Sequence, residues 1–219
     1  MKRLFDLSHV IEDGMITYKG LPAPVICDYL SREKSRANYE AGTEFQIGRI
    51  DMVANTGTYI DCPFHRYADG KDLSEVELSR FINLEVIVVH VPHRSGLEIS
   101  KRHFGGLRLQ GKAVLIHTDW SDYWRTDQYF ENHPFVSEEG AQFLADQNVA
   151  LVGIDSHNID DTRTKSRPAH SILLKKEILI VEHLCNLASL PSTRLLFNAV
   201  PPKFKGVGTF PVRAYAVEA

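Results

Sequence analysis

The chain has 219 residues, 43% hydrophobic and 24% charged, enough apolar material to bury a sizeable core and too much for a disordered or fibrous protein. A formal charge of -3 supplies no concentrated basic face, so nucleic acid is not an expected partner. Cys27, Cys62 and Cys185 are widely spaced without a C-x-x-C pair, which indicates neither a disulfide framework nor a structural zinc knuckle.

The first ten residues, MKRLFDLSHV, lack the apolar stretch of a signal peptide. No later run approaches the ~20 apolar residues that span a bilayer. A cytoplasmic, reducing setting is expected. Short runs rich in Val, Ile, Leu and Phe at 45–54, 84–91, 112–118, 150–155, 178–184, 194–200 and 211–217 predict strands. Those at 84–91, 112–118, 150–155 and 178–184 are nearly continuous in apolar character, which suits strands covered on both faces. The 211–217 run alternates and suits a one-sided surface.

Ser74 followed by Glu77 predicts a capping box for a helix over 75–82. Ser137 is placed to cap a helix over 138–147, where Glu138 and Glu139 favour the positive end of the dipole. The Gly/Pro clusters at 20–24, 201–202 and 206–211 read as surface turns. With no repeat or linker, the expectation is one domain over residues 1–219, of α/β class, with a mixed β-sheet and flanking helices.

Residues 55–65, NTGTYIDCPFH, carry the densest chemistry. Asp61 and His65 stand four apart, but Pro63 between them argues against helical pairing. A loop leaving the 45–54 strand can still converge them into a metal-binding or proton-transferring group. Far along the chain, Glu182 lies within the apolar run ILIVEHL, twelve residues after His170. A carboxylate there is costly to bury unless it is paired or ligates a cation. The alternative is a strand-end glutamate that faces solvent or pairs with Lys175 or Lys176.

The stretch resembles the loop signature H-x-G-T-H-x-D-x-P-x-H of the cyclase / kynurenine formamidase family of metal-dependent hydrolases. Gly57, Thr58, Asp61, Pro63 and His65 fit it, and Asn55 and Tyr59 stand where the first two histidines would be. FDLSHVIEDGM at 5–15, VGIDSHNIDD at 152–161, RPAHSILLKKEILIVEHLCNL at 167–187 and PPKFKGVGTFPVRAYAV at 201–217 are similar to further family elements in the same order. The resemblance implies a swivelling β/β/α-type fold. It implies Asp61, His170 and Glu182 as metal ligands and His65 as the proton-transfer residue. It also implies that Gly57 allows close backbone approach while Pro63 stiffens the loop. An arylformamidase-like activity on N-formylkynurenine, in tryptophan catabolism, is the first expectation from it, with cyclic amides, imides or lactones open. A homo-oligomer, dimer or tetramer, is the other.

Replacing two imidazoles with Asn55 and Tyr59 leaves an oxygen-rich site. Asn55 can offer an amide oxygen, whereas Tyr59 is a weak ligand because its phenol must first lose a proton. One divalent ion is expected, with Mn favoured by the oxygen donors, Zn by the resemblance, and Mg possible. Three readings follow: an active single-metal hydrolase, a metal-free binding or regulatory protein on the same fold, and metal-free acid/base catalysis by His65 and Glu182. The first is preferred because Asp61, His65, His170 and Glu182 are all present.

Other residues carry weaker signals. His157 is a replacement imidazole or, more simply, a structural loop histidine; His9 reads as structural. Cys62 reads as a packed side chain rather than a nucleophile. Trp120, Tyr123, Trp124 and Tyr129 either wall an aromatic substrate pocket or cover the core. His183, if 178–184 is a strand throughout, points away from Glu182. The basic run Arg163, Lys165 and Arg167 reads as a solvated loop or an anion contact.

Overall fold

The computed structural model describes residues 2–219. In chain order the strands are β1 (Leu4–Asp6), β2 (Val25–Leu30), β3 (Ile47–Asp51), β4 (Tyr59–Asp61), β5 (Leu84–His90), β6 (Glu98–Ile99), β7 (Ala113–His117), β8 (Phe135–Val136), β9 (Leu151–Ile154), β10 (Leu179–Glu182), β11 (Leu195–Asn198), β12 (Thr209–Pro211) and β13 (Tyr215–Glu218). The helices are α1 (Arg32–Ser35), α2 (Glu138–Asp146) and α3 (Pro168–Lys175).

One sheet runs β1-β13-β11-β5-β7-β9-β10-β4-β12. Its centre, β5, β7, β9 and β10, is parallel, and the strands outside it pair antiparallel. The expected α/β class with a mixed sheet is therefore what the chain forms. Alternation along the central strands feeds two cores. Leu115 and Val181 join Ile60 and Phe197 on one face. Val114, Ile116, Val152, Ile154 and Ile180 lie on the other, beneath Ala141 and Leu144 of α2 and Ala169 and Leu173 of α3. β5 departs from the expectation of full cover, with Val88 36% exposed. β11 pairs only with Leu84 and Glu85, so the rest of β5 has a strand neighbour on one side alone.

The sheet curls. β12 and β13 lie near its opposite ends, about 34 Å apart if seven strand spacings were laid flat. Only residues 212–214 join them, and four residue steps reach about 14 Å. Val212 N–H donates to Thr58 O at 2.9 Å and Leu7 N–H to Ala214 O at 2.9 Å, stitching the two ends. The single strand expected at 211–217 is therefore two strands, because its ends serve opposite edges.

Ser137 caps α2 as expected, its hydroxyl accepting from Gly140 N–H at 3.1 Å. The helix expected over 75–82 is only a 3-10 turn, Leu78–Arg80. The reciprocal box forms two residues earlier: Asp72 accepts from the N–H groups of Ser74 and Glu75, and Glu75 accepts from Asp72 N–H. The 45–54 run shortens to β3, which pairs with β2 in a ribbon whose residues are nearly all exposed, Tyr29 at 75% and Ile50 at 61%.

Candidate functional site

Strand register assembles the first part of the site. β4 and β10 pair antiparallel with Asp61 opposite Ile180 and Tyr59 opposite Glu182. Residues two apart on a strand share a face, as do directly opposed ones, so Tyr59, Asp61 and Glu182 project together toward the α3 side. Asp61 thus belongs to a strand, not to the loop its proline neighbour indicated. Pro63 opens the 3-10 turn Pro63–His65 that follows. The approach to β4 needs Gly57, whose φ is +66° and whose missing Cβ would sit 2.7 Å from Ile11. Gly208 matters more directly: a Cβ there would lie 2.3 Å from the backbone nitrogen of His65.

α3 brings the imidazole. The carboxylate of Asp160 accepts from Ala169 N–H at 2.7 Å and His170 N–H at 3.1 Å, capping the helix from outside it. The same group accepts from His170 Nδ1 at 2.6 Å, which fixes the tautomer and leaves Nε2 facing the strands. From Nε2, Asp61 Oδ2 is 3.7 Å away and Glu182 Oε1 3.8 Å. Asp61 Oδ2 is buried and has no hydrogen-bond partner.

His65 is held by the opposite wall. Thr209, on β12, donates its hydroxyl proton to Asp61 Oδ1 at 2.6 Å, so its lone pair takes the hydrogen of His65 Nδ1 at 2.8 Å. Nε2 of His65 then carries a free lone pair and lines the cavity. Asp61, His65 and His170 offer ligand atoms that all lie within 4.8 Å of one another, a group able to hold a metal ion. Residue types alone gave no sign of Asp160 or Thr209 as partners; both act across chain separations that no local pattern encodes.

Tyr59 points its hydroxyl at Glu182 Oε2, and its oxygen lies 3.2 Å from that of Tyr18. Asn158 donates to Tyr18 Oη at 2.6 Å and reaches Glu182 Oε2 at 3.5 Å. Ile159 N–H donates to Glu182 Oε1 at 2.6 Å. Burial, then the Glu182 charge, pushes the Tyr59 phenol well above its ordinary range, so it stays a donor. Asn55 lines the same cavity, with His65, Arg66, Arg167, His170 and Glu182. Burial also raises Glu182, and the neighbouring Asp61 charge adds to it. For His170 burial works downward, but the hydrogen bond to Asp160 and the nearby negative charges of Asp61 and Glu182 outweigh it and hold the imidazole above its usual value. The arrangement gathers negative charge with one fixed imidazole in a buried corner and sets a second imidazole at its mouth.

Glu182 is fully buried and meets neither Lys175 nor Lys176, so the solvent-facing alternative does not hold. The aromatic run covers the core: Trp120 and Tyr129 are buried, Trp124 stacks on His9 at 3.9 Å, and none of the four lines this cavity. Cys62 is packed in the core, its thiol pushed up to about 12 by burial. His9, expected to be structural, stacks on Trp124, and its backbone N–H donates to Thr58 Oγ1 at 3.0 Å. His157 packs 4.4 Å from Tyr18, outside the Asp61 group. The strand ends at Glu182, so His183 takes φ 56° and swings its ring to 5.2 Å from Tyr59 rather than continuing the alternation. In the basic run Arg163 pairs with Asp161, Arg167 bonds loop carbonyls, and Lys165 reaches the cavity rim. Among the described residues, no helix is long and apolar enough to cross a membrane.

The profile of the family described as "Putative cyclase" matches residues 5–161. A kynurenine formamidase of Bacillus cereus is 28% identical over 181 residues, covering 82% of this chain and 80% of its own. Among solved structures, a potential metal-dependent hydrolase with cyclase activity superposes with a TM-score of 0.81 at 26% identity, covering 100% of this chain and 99% of that one. Isatin hydrolase A from Labrenzia aggregata, bound to benzyl benzoate, gives 0.84 at 21% identity over 99% and 94%, a likeness of fold.

Proposed function

The chain belongs to the cyclase family, and on that premise we propose that it is an amidohydrolase that cleaves a non-peptide carbon–nitrogen bond. Asp61, His170 and Glu182 hold one divalent cation. The observation that carries the reading is Asp61 Oδ2, a buried acceptor without a partner, 3.7 Å from His170 Nε2. An unpaired buried carboxylate oxygen is costly, and a cation shared with the neighbouring imidazole and carboxylate removes that cost. The Asp160–His170 pairing supports it, because ligating histidines characteristically donate their other N–H to a carboxylate. Mn, Zn and Mg are the ions this donor set suits, with Mn favoured by its oxygens.

When bound, the cation supplies Lewis acidity to the scissile carbonyl. His65 Nε2 takes a proton from the attacking water as oxygen adds to the carbonyl carbon. The same imidazole returns the proton to nitrogen as the carbon–nitrogen bond breaks, giving an acid and a free amine. Asp61 and Thr209 hold His65 in the tautomer this exchange needs. Asn55, Tyr59 and Asn158 add neutral polar groups to the cavity wall beside Glu182 and His170, contacts suited to the uncharged amide itself.

N-formylkynurenine is the first candidate substrate, since the relative in Bacillus cereus is a kynurenine formamidase; cyclic amides, imides and lactones follow. The Tyr59–Glu182 hydrogen bond supports one second reading, a metal-free binding or regulatory protein, because it satisfies a carboxylate oxygen without an ion. Metal analysis of protein purified with Mn or Zn, paired with a formamide hydrolysis assay, separates the two. About one equivalent of Mn and measurable turnover, both lost in Asp61→Ala, are expected; with Zn, the equivalent bound in this cavity is the one that Asp61→Ala removes. A wild-type protein free of metal and inert toward formamides, imides and lactones would overturn the proposal.

A further inference from the structure

β5 and β7 end in two histidines that the hydrolytic reading does not use. Parallel register sets His90 directly opposite His117, so both side chains leave one face at neighbouring strand ends, the edge where α/β sheets characteristically bind ligands. The backbone then turns at Asp119, which takes φ 62°. That turn is anchored from the interior: buried Asp155 accepts from Thr118 N–H at 2.8 Å and from the Thr118 hydroxyl. Asp119 Oδ1 consequently lies 2.9 Å from His117 Nε2 and 3.1 Å from His90 Nε2. Among the described residues no lysine or arginine pairs with Asp119, and Asp122 lines the same groove beside it.

We infer that His90, His117 and Asp119 form a second divalent-cation site, separate from the Asp61 cluster. Two imidazoles with one carboxylate suit a borderline ion such as zinc, cobalt or nickel. Three protein ligands leave the fourth position to water. Ligands about 2.1 Å from a tetrahedral ion stand about 3.4 Å apart, a few tenths wider than the present spacings. Each imidazole of the pair, whose rings stack at 4.3 Å and 19°, must draw back from Asp119 by that amount. His90 has the room, its side chain being 52% exposed. The site is independent of the hydrolase proposal because it shares no residue with it.

Calorimetric titration with Zn2+ tests the assignment on the intact chain, in wild type, His90→Ala, and Asp61→Asn with and without His90→Ala. His90 is half-exposed, so its loss removes a ligand without emptying the core. One binding event that persists in Asp61→Asn and weakens at least tenfold, or vanishes, when His90→Ala is added is the expected result. Hydrolysis by the His90→Ala protein should equal that of wild type. Isotherms indifferent to His90 in both backgrounds would overturn the site. Loss of the event in Asp61→Asn alone would do the same, by assigning all binding to the interior cluster.

Discussion

The two imidazole–carboxylate clusters of this sheet contrast in how they are supported. The interior one draws on β4, β10, α3 and β12, and every member has a further partner: Asp160 and Thr209 fix the two imidazoles, while Ile159 N–H and Tyr59 hold Glu182. The rim one comes from a single strand pair and its following turn, with the Asp155 anchor and backbone hydrogen bonds from Val91 and His93 behind it. Burial accounts for the difference. A charge in the interior must be compensated group by group, whereas water does most of that work at the rim. Support built so densely around Asp61 also explains how this corner keeps its form although two imidazoles of the family pattern are replaced.

The contrast can be broken most severely at Asp61. Asp61→Ala should abolish formamide hydrolysis by a factor of about 10^3 or more, with folding checked by circular dichroism; turnover within tenfold of wild type would remove Asp61 from the chemistry. Next in size is Asp160→Ala. It strips the cap of α3 and frees the His170 ring, so metal affinity should fall about 10–100-fold and stability by about 2 kcal/mol in urea unfolding. If metal affinity survives, the interior cluster does not depend on its surrounding partners. Gly208→Ala should reduce stability by about 1–3 kcal/mol, since a Cβ would meet the His65 backbone; activity should fall more than metal content, because His65 moves and the ligands do not.

Acid sharpens the same comparison. Burial, and secondarily His133, holds His157 at about 3, whereas the unfolded chain protonates the residue near 6.5. The stabilising contribution is therefore complete above 6.5 and is lost as pH falls from there toward 3. Relative to His157→Gln, wild type should lose about 1.4 kcal/mol per pH unit across that window. An unchanging difference would mean the imidazole is not held neutral. Smallest is His90→Ala, which should alter stability by no more than about 0.5 kcal/mol without metal.

Much of this was legible in the chain. Glu182 stood out because a carboxylate among Ile, Val and Leu demands a reason, and Asp61, Pro63 and His65 because their spacing matches a known signature. The four central strands were plain from apolar continuity. What remained hidden acts through the backbone over long separations: Asp160 caps a helix that begins eight residues later, and Thr209 meets His65 from 144 residues away. The misplaced capping box at Ser74 has the same root, since Asp72 offered a stronger acceptor two residues earlier. The division of 211–217 follows from sheet curl, a property of the whole sheet that a seven-residue pattern does not contain.

The most direct test is anomalous diffraction from crystals grown with manganese or zinc. The account predicts a peak bounded by the side chains of Asp61, His170 and Glu182, whatever else the crystal binds. No peak there, in a protein whose hydrolysis persists after chelation, would contradict it.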